Sequence, residues 1–184
     1  RFARDYPRVR ISLHSSYTSE LKGQFERGEM DVILTTETEP DVGGEVLQES
    51  QLVWIGAPDG AAWRQRPLPL AFETGCIFRP WVQSRLDAAG IPWTMAVDSL
   101  SIRTVDACIS ADFAVHAAIA FTVQRRYDVI DHQGALPELP ATKVVQYVAE
   151  GPKRALAQEL ARVVRETWAE GEGNLTEPLA IAAE

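Results

Sequence analysis

Three polar clusters stand where apolar runs stop, and each could hold a small anion. The first is Ser15, Ser16 and Thr18, after the alternating run Val9, Ile11 and Leu13. The second is Cys76, Phe78 and Arg79, ahead of Pro80. The third is Asp98 and Ser99, ahead of Ile102. Hydroxyls and backbone N–H groups at helix starts suit a carboxylate, and arginine can clamp one with two parallel hydrogen bonds. His116 adds an imidazole just after the buried run Phe113, Ala114, Val115. The candidate ligand contacts are therefore Ser15, Ser16, Thr18, Cys76, Phe78, Arg79, Ser99 and His116. Each also has a plainer use. Hydroxyls cap helices. Arg79 can cover apolar surface or pair with Asp98. Cys76 and Phe78 can pack in a core, and His116 can be a satisfied buried ring.

Catalytic constellations are not found. No G-x-S-x-G elbow accompanies the serines, and no Walker A, G-x-G-x-x-G or H-E-x-x-H spacing occurs. Gly171 and Gly173 fall in the tail and form no phosphate cradle. Cys76 and Cys108 fit no zinc spacing, and His14, His116 and His132 form no ligand pattern. The expectation is a protein that is not an enzyme and has no cofactor or metal.

The bulk numbers agree with a binding domain. The 184 residues carry a net charge of −8 and are 46% hydrophobic. That length suffices for one large domain or two small lobes. Phosphate-backbone footprints are basic, so this fragment is not expected to grip DNA itself. No apolar run approaches the ~20 residues of a membrane span, and the start lacks the apolar core of a signal peptide. A cytoplasmic, reduced protein is expected.

These residues need elements to position them. Val9, Ile11 and Leu13 alternate with polar residues, which predicts a strand. Thr18 or Ser19 should cap a helix bearing Leu21 and Phe25 on one face, with Gly28 as its left-handed stop. Asp31 to Leu34 reads as a buried strand, so the opening predicts a parallel β–α–β unit. One or two strands follow over 46–57, then a linker over 61–68. A second set runs through a strand at Leu70–Phe72, a helix begun by Pro80 and ended by Gly90, and a strand over Trp93–Val97. A helix bearing Ile102, Val105 and Ile109, capped by Ser99 or Ser101, comes next. Phe113 to Val115 reads as a strand and 117–127 as a helix. After a break at Pro137 and Pro140 come a strand at Val144–Val148 and an amphipathic helix over 152–169. The pattern is α/β. It divides into lobe I, 1–62 and 141–170; lobe II, 63–140; and a loose tail, 171–184.

The order of elements resembles the effector-binding domains of LysR-type transcriptional regulators. Phe2, Tyr6, Pro7, Val9 and Ile11, then Gly28, Asp31 and Val32, follow that family's F-x-x-x-Y-P-x-V-x-[LI] and G-x-x-D-[LV] patterns. The run from Gln51 to Pro58 resembles its strand into the crossover. Leu136, Pro137, Leu139 and Pro140 resemble its L-P-x-L-P return. Cys76 to Arg79, Leu86 to Gly90, and Pro92 with Trp93 look like the flagellar and virulence subgroup. Two departures stand out. The family's opening strand and loop, its winged helix-turn-helix and its linker helix are missing here. Its A-G-x-G turn reads Ser110, Ala111, Asp112, Phe113.

The resemblance implies two Rossmann-like βαβ lobes of type 2 periplasmic-binding-protein-like fold, lacking the first strand. It implies a small-molecule effector, with anions among the candidates, held between the lobes, and a homodimer or homotetramer. Helices over 18–27 and 80–89 are candidate subunit contacts. DNA would be touched only through the missing N-terminal domain, and no membrane is involved. The rival reading is a solute-binding protein of a transport system, which shares the fold. A secretion signal ahead of Arg1 would favour the rival; a helix-turn-helix there would favour the regulator.

Overall fold

A computed structural model describes residues 1–171 of the protein; the expectation of a loose tail over 171–184 falls, from 172 on, outside the described residues. In chain order the elements are α1 (Phe2–Asp5), α2 (Thr18–Glu26), β1 (Val32–Glu37), β2 (Glu45–Gly56), a 3-10 turn (Ala62–Arg64), β3 (Leu68–Glu73) and α3 (Phe78–Ala88). There follow β4 (Trp93–Ser99), α4 (Ile102–Ser110), β5 (His116–Ile119), a 3-10 turn (Ala120–Thr122), β6 (Asp128–Val129), β7 (Ala141–Val148) and α5 (Arg154–Glu170). The described residues form two compact units, Arg1–Glu49 with 143–171, and Ser50–Thr142. It passes from the first to the second inside β2 and returns inside β7.

In unit one, β1 runs antiparallel to β7, Val32 facing Val148 and Glu37 facing Lys143. Helix α2 covers this ladder. Its i, i+4 pair Leu21 and Phe25 packs with Met30, Ile33, Val145 and Tyr147. Gly28 has φ 73°, which lets the chain turn back into β1 at the left-handed stop the spacing predicts. Helix α5 buries Ala157, Ala161 and Val163. It is tied to the unit-one half of β2 by two Arg165–Glu45 contacts at 2.5 and 2.6 Å, and by the Trp168 indole donating to Gln48 at 2.9 Å.

The strand expected over Val9–Leu13 is not formed. Residues 9–17 carry no regular structure, and Ile11 is 47% and Leu13 92% exposed. Val9 and Ile11 instead line a cavity of about 530 Å³ with Phe2, Met30, Val32 and Leu160. Alternation decides which face is apolar, but a strand also needs a neighbour for its N–H and C=O groups. Among the described residues β1 pairs only with β7. The expected parallel β–α–β opening is therefore corrected to an irregular segment, α2 and β1.

In unit two the expected β–α–β arrangement is present. β3 and β4 are parallel, Leu68 facing Trp93 and Glu73 facing Ser99. Leu68, Leu70 and Phe72 are fully buried, met by Val82 and Leu86 of α3 in one cluster. Ala71 and Val97 meet Val105 and Ile109 of α4 in the other. Phe72 and Ala71 fall on opposite faces of β3, so the strand is sandwiched, as its unbroken apolar run requires. Helix α3 begins at Phe78, so Pro80 sits inside the first turn, where its missing N–H costs no helical bond.

Two further expectations fail here. The helix expected over 117–127 is instead β5 and a 3-10 turn, because Ala117, Ala118 and Ile119 complete a ladder with Trp54, Val53 and Leu52 of β2. The preceding strand shifts accordingly: Phe113 is 56% exposed, and Val115 makes only an isolated bridge to Leu70.

In the family-like turn Ala111 and Phe113 stand at the glycine positions, and the residue between them carries the unusual backbone. Asp112 takes φ 54°, in the left-handed region. Its carboxylate accepts hydrogen bonds from the N–H groups of Ala61 and Ala62 at 2.8 and 3.0 Å. It thus caps the 3-10 turn at Ala62–Arg64 with a group that glycine lacks. Asparagine and aspartate tolerate this backbone region better than other side chains. Asp112→Ala is expected to lower stability by about 1–2 kcal/mol through the lost caps and the strained backbone, read as the urea unfolding midpoint. An unchanged midpoint would show the cap to be idle.

Candidate functional site

The ends of the parallel strands are where ligands of α/β sheets are held. In unit two those ends carry Glu73 of β3 and Asp98 and Ser99 of β4. The starts of α3 and α4 follow close behind in the chain. Neither helix has an acidic residue in its first turn or a side-chain cap. Their partial positive ends and unpaired N–H groups are therefore not neutralised locally.

Arg79 is held by an ion pair to Asp98 at 3.1 Å, and its side chain is 22% exposed. Asp98 also accepts the Thr74 hydroxyl at 2.7 Å. That hydroxyl, with the Arg79 guanidinium, holds the Asp98 carboxyl below the usual carboxylate range. The pairing fixes one nitrogen of the guanidinium. Among the described residues Asp98 is the only ion-pair partner of Arg79. A guanidinium has five N–H donors in a planar fork, so one oriented by a single carboxylate is chemically suited to take a further anion.

The other sequence candidates of unit two divide. Ser99 is beside the clamp and accepts the Ser101 N–H at 3.1 Å, its hydroxyl closing the turn before α4. Phe78 and Cys76 pack against the large core cluster, Phe78 with its ring 5.7 Å from Trp81. Burial pushes the Cys76 thiol up, so it stays protonated and unreactive near neutral pH. His116 is one strand away. Its Nδ1 lies 2.7 Å from the Ala71 carbonyl, which can only accept, so Nδ1 carries the hydrogen. The ring lies tilted against Phe72, with centroids 4.5 Å apart. Burial pushes the imidazole down to about 4, so it is neutral at physiological pH.

In unit one, Ser15 and Ser16 are exposed and precede α2. Thr18 is engaged. Its hydroxyl donates to the Thr36 carbonyl at 3.3 Å and accepts the Thr36 N–H at 3.2 Å. It stitches the start of α2 to the end of β1 instead of capping its own helix; the N-cap position is Tyr17.

Sequence reasoning missed Glu73 and Thr74. The available signal was their place: Glu73 is the first charged residue after the apolar run Leu68–Phe72. Glu73 is half-buried, and its carboxylate forms no hydrogen bond or ion pair among the described residues. Burial, and then the nearby Asp106 carboxylate, push its carboxyl up. Asp106 itself is engaged by Arg126 at 2.6 Å and the Tyr127 hydroxyl at 2.7 Å.

Among the described residues no group of His, Cys, Asp and Glu could hold a metal ion, and no helix is long and apolar enough to cross a membrane.

Comparison with known proteins gives one consistent match. The family described as LysR substrate binding domain matches residues 1–169. Over 148 residues the chain is 22% identical to the HTH-type transcriptional regulator PecT of Dickeya dadantii (strain 3937), covering 80% of this chain and 46% of PecT. The chain spans about half the length of the curated relatives it matches. It resembles the regulatory domain of CcmR from Synechocystis PCC6803 in complex with 2-PG, with TM-score 0.66 at 14% identity over 90% of this chain and 86% of that one. It resembles the BenM effector-binding domain with its effector benzoate, with TM-score 0.64 at 15% identity over 97% and 86%. The fold is thus the mixed α/β, type 2 periplasmic-binding-protein-like fold of these domains.

Proposed function

The chain belongs to the LysR substrate-binding domain family, and from this premise we propose that it is the effector-sensing and oligomerising part of a LysR-type DNA-binding transcriptional regulator. The observation that carries the reading is the oriented Arg79 clamp at the ends of β3 and β4, inside a family match that spans nearly the whole described chain. Its relatives are regulators, which favours this reading over the transport-protein one and over an enzyme. The protein acts without turnover, in the cytoplasm where DNA is met. The run from Cys76 to Arg79 supports placement in the flagellar and virulence subgroup.

The effector is a small molecule with an anionic group. Arg79, Ser99 and the first turns of α3 and α4 receive that group. Ser15 and Ser16 are unit one's proposed contacts. Carboxylate recognition has a precedent in the relative crystallised with benzoate. The effector acts by its differential affinity for two conformations of the domain, which in the intact dimer or tetramer changes how the DNA-binding heads address their half-sites. The exposed faces of α2 and α3 are the proposed subunit contacts.

The test is a thermal-shift screen of small carboxylates followed by calorimetry. Arg79→Ala should weaken the best binder by about 10–100-fold, the worth of a charge-assisted bidentate pair, with the melting temperature of the free protein nearly unchanged. Equal affinity in wild type and variant would refute the site.

A further inference from the structure

The Arg79–Asp98 pair has a third member, and it decides where the guanidinium is set. This inference rests on the effector-site reading above and names a residue that acts on that site through another. The Arg79 guanidinium approaches Asp98 through Nη1 and Oδ1, at 3.1 Å. The same oxygen accepts the Thr74 hydroxyl at 2.7 Å. Packing alone does not hold this carboxylate, since the Asp98 side chain is 45% exposed. Its orientation depends on the polar groups that meet it.

Thr74 is itself fixed by backbone. It follows the last residue of β3, and its N–H donates to the Ser99 carbonyl at 3.0 Å. The Cys76 N–H donates to the Glu73 carbonyl at 3.1 Å. These bonds make the turn without any help from the hydroxyl. The hydroxyl oxygen lies 2.7 Å from Asp98 Oδ1 and 3.4 Å from the Ser99 carbonyl. A hydroxyl has one proton to give, and the shorter contact assigns it to Asp98. Branching at Cβ restricts the side-chain torsion of threonine, so the donor is set in place by the turn.

Three elements thus meet at one carboxylate oxygen: the turn after β3, the end of β4, and the first turn of α3, where the Arg79 N–H donates to the Cys76 carbonyl at 3.2 Å. We propose that Thr74 is the positioning residue of the Arg79 clamp: its hydroxyl anchors the Asp98 oxygen against which the guanidinium is set, and so fixes where the effector's anionic group is received. Setting the guanidinium before binding removes ordering that the ligand would otherwise have to impose. The hydroxyl is also the foremost reason that the Asp98 carboxyl stays below its ordinary range, ahead of the guanidinium. Its contribution can therefore be read with no ligand present.

Thr74→Val removes the hydroxyl and keeps the branched shape, and Thr74→Ser returns the hydroxyl. Thr74 is exposed, so both variants should fold; Thr74→Ala, which drops the same hydroxyl, should behave as Thr74→Val does. Carboxyl NMR titration of the full chain should find Asp98 titrating higher in Thr74→Val and back at its wild-type value in Thr74→Ser. Calorimetry follows with the tightest binder among acetate, benzoate and succinate. Affinity should fall about 3–10-fold in Thr74→Val, the worth of one hydrogen bond to a charged group, and stay within about twofold in Thr74→Ser. An Asp98 titration that does not move in Thr74→Val overturns the proposal, as does a loss in Thr74→Ser equal to that in Thr74→Val. A shifted titration with undiminished binding, where Arg79→Ala still weakens it, also overturns the positioning role and leaves the effector site standing. Equal affinity in wild type and Arg79→Ala, or no binding by any of the three carboxylates, overturns the site and the role of Thr74 together.

Discussion

Lys22→Met is expected to lower the stability of the chain by about 2–4 kcal/mol. Lys22 lies on α2 and places its ammonium 2.5 Å from both Glu37 and Asp41. The Glu37 side chain is only 7% exposed, and it also accepts hydrogen bonds from Thr35 and Tyr147. Burial works against the lysine charge, but the hydrogen bonds to Asp41 and Glu37 outweigh it and hold the ammonium above its ordinary value. A folded pKa raised above the unfolded one adds stability that is complete at neutral pH and fades only in strong alkali. Removing the cation leaves a carboxylate buried beside apolar methylenes, and breaking such a pair usually costs several kcal/mol. Two retained hydroxyl donors place this case at the lower end. The exposed arm should matter little: Asp41 is 74% exposed, so Asp41→Asn should cost under about 1 kcal/mol. Adding Glu37→Gln to Lys22→Met should restore part of the loss, because an amide pays no charge-burial penalty. Unfolding in urea reads all three. A loss no larger for Lys22→Met than for Asp41→Asn would mean that the network is a surface ion pair and no more.

Acidification from pH 7 to pH 5 should remove about 1–2 kcal/mol of stability through His116 alone. The folded imidazole titrates at about 4 and an unfolded histidine at about 6.5. A depressed histidine pKa means that the unfolded chain takes up the proton first. The contribution is therefore present above about pH 6.5 and is lost as pH falls towards 4. The full difference across this interval is about 2 kcal/mol at 1.36 kcal/mol per unit; partial exposure of the ring reduces it. His116→Gln cannot titrate here, so its stability should fall less steeply between pH 7 and pH 5. Parallel slopes for variant and wild type would assign the acid loss to carboxylates instead.

Both effects belong to side chains whose roles the sequence left open or hid. His116 was legible as a histidine after a buried run, and its alternative reading as a satisfied ring is what the Ala71 carbonyl and Phe72 provide. Lys22 carried no signal, since one lysine on a helix face looks like any solvated charge. Arg79 was legible in kind and place, and so was its pairing with Asp98, because the clusters ending two adjacent strands must meet when the strands are parallel. Glu73 was not, because its lack of a partner depends on where Arg126 and Arg79 turn.

What this sequence determined by itself is whatever closes within a turn or two of chain. Helices α2, α3, α4 and α5 follow from apolar spacing, and their stops from Gly28 and Gly90 in the left-handed region. The buried strand β3 follows from an unbroken apolar run. Only the tertiary structure decided the rest. Val9, Ile11 and Leu13 alternate as a strand should and form none, whereas Ala117 to Ile119 look helical and pair with β2. The reason is the reach of the hydrogen bond. A helix satisfies its backbone four residues away, but a strand must borrow partners from distant chain.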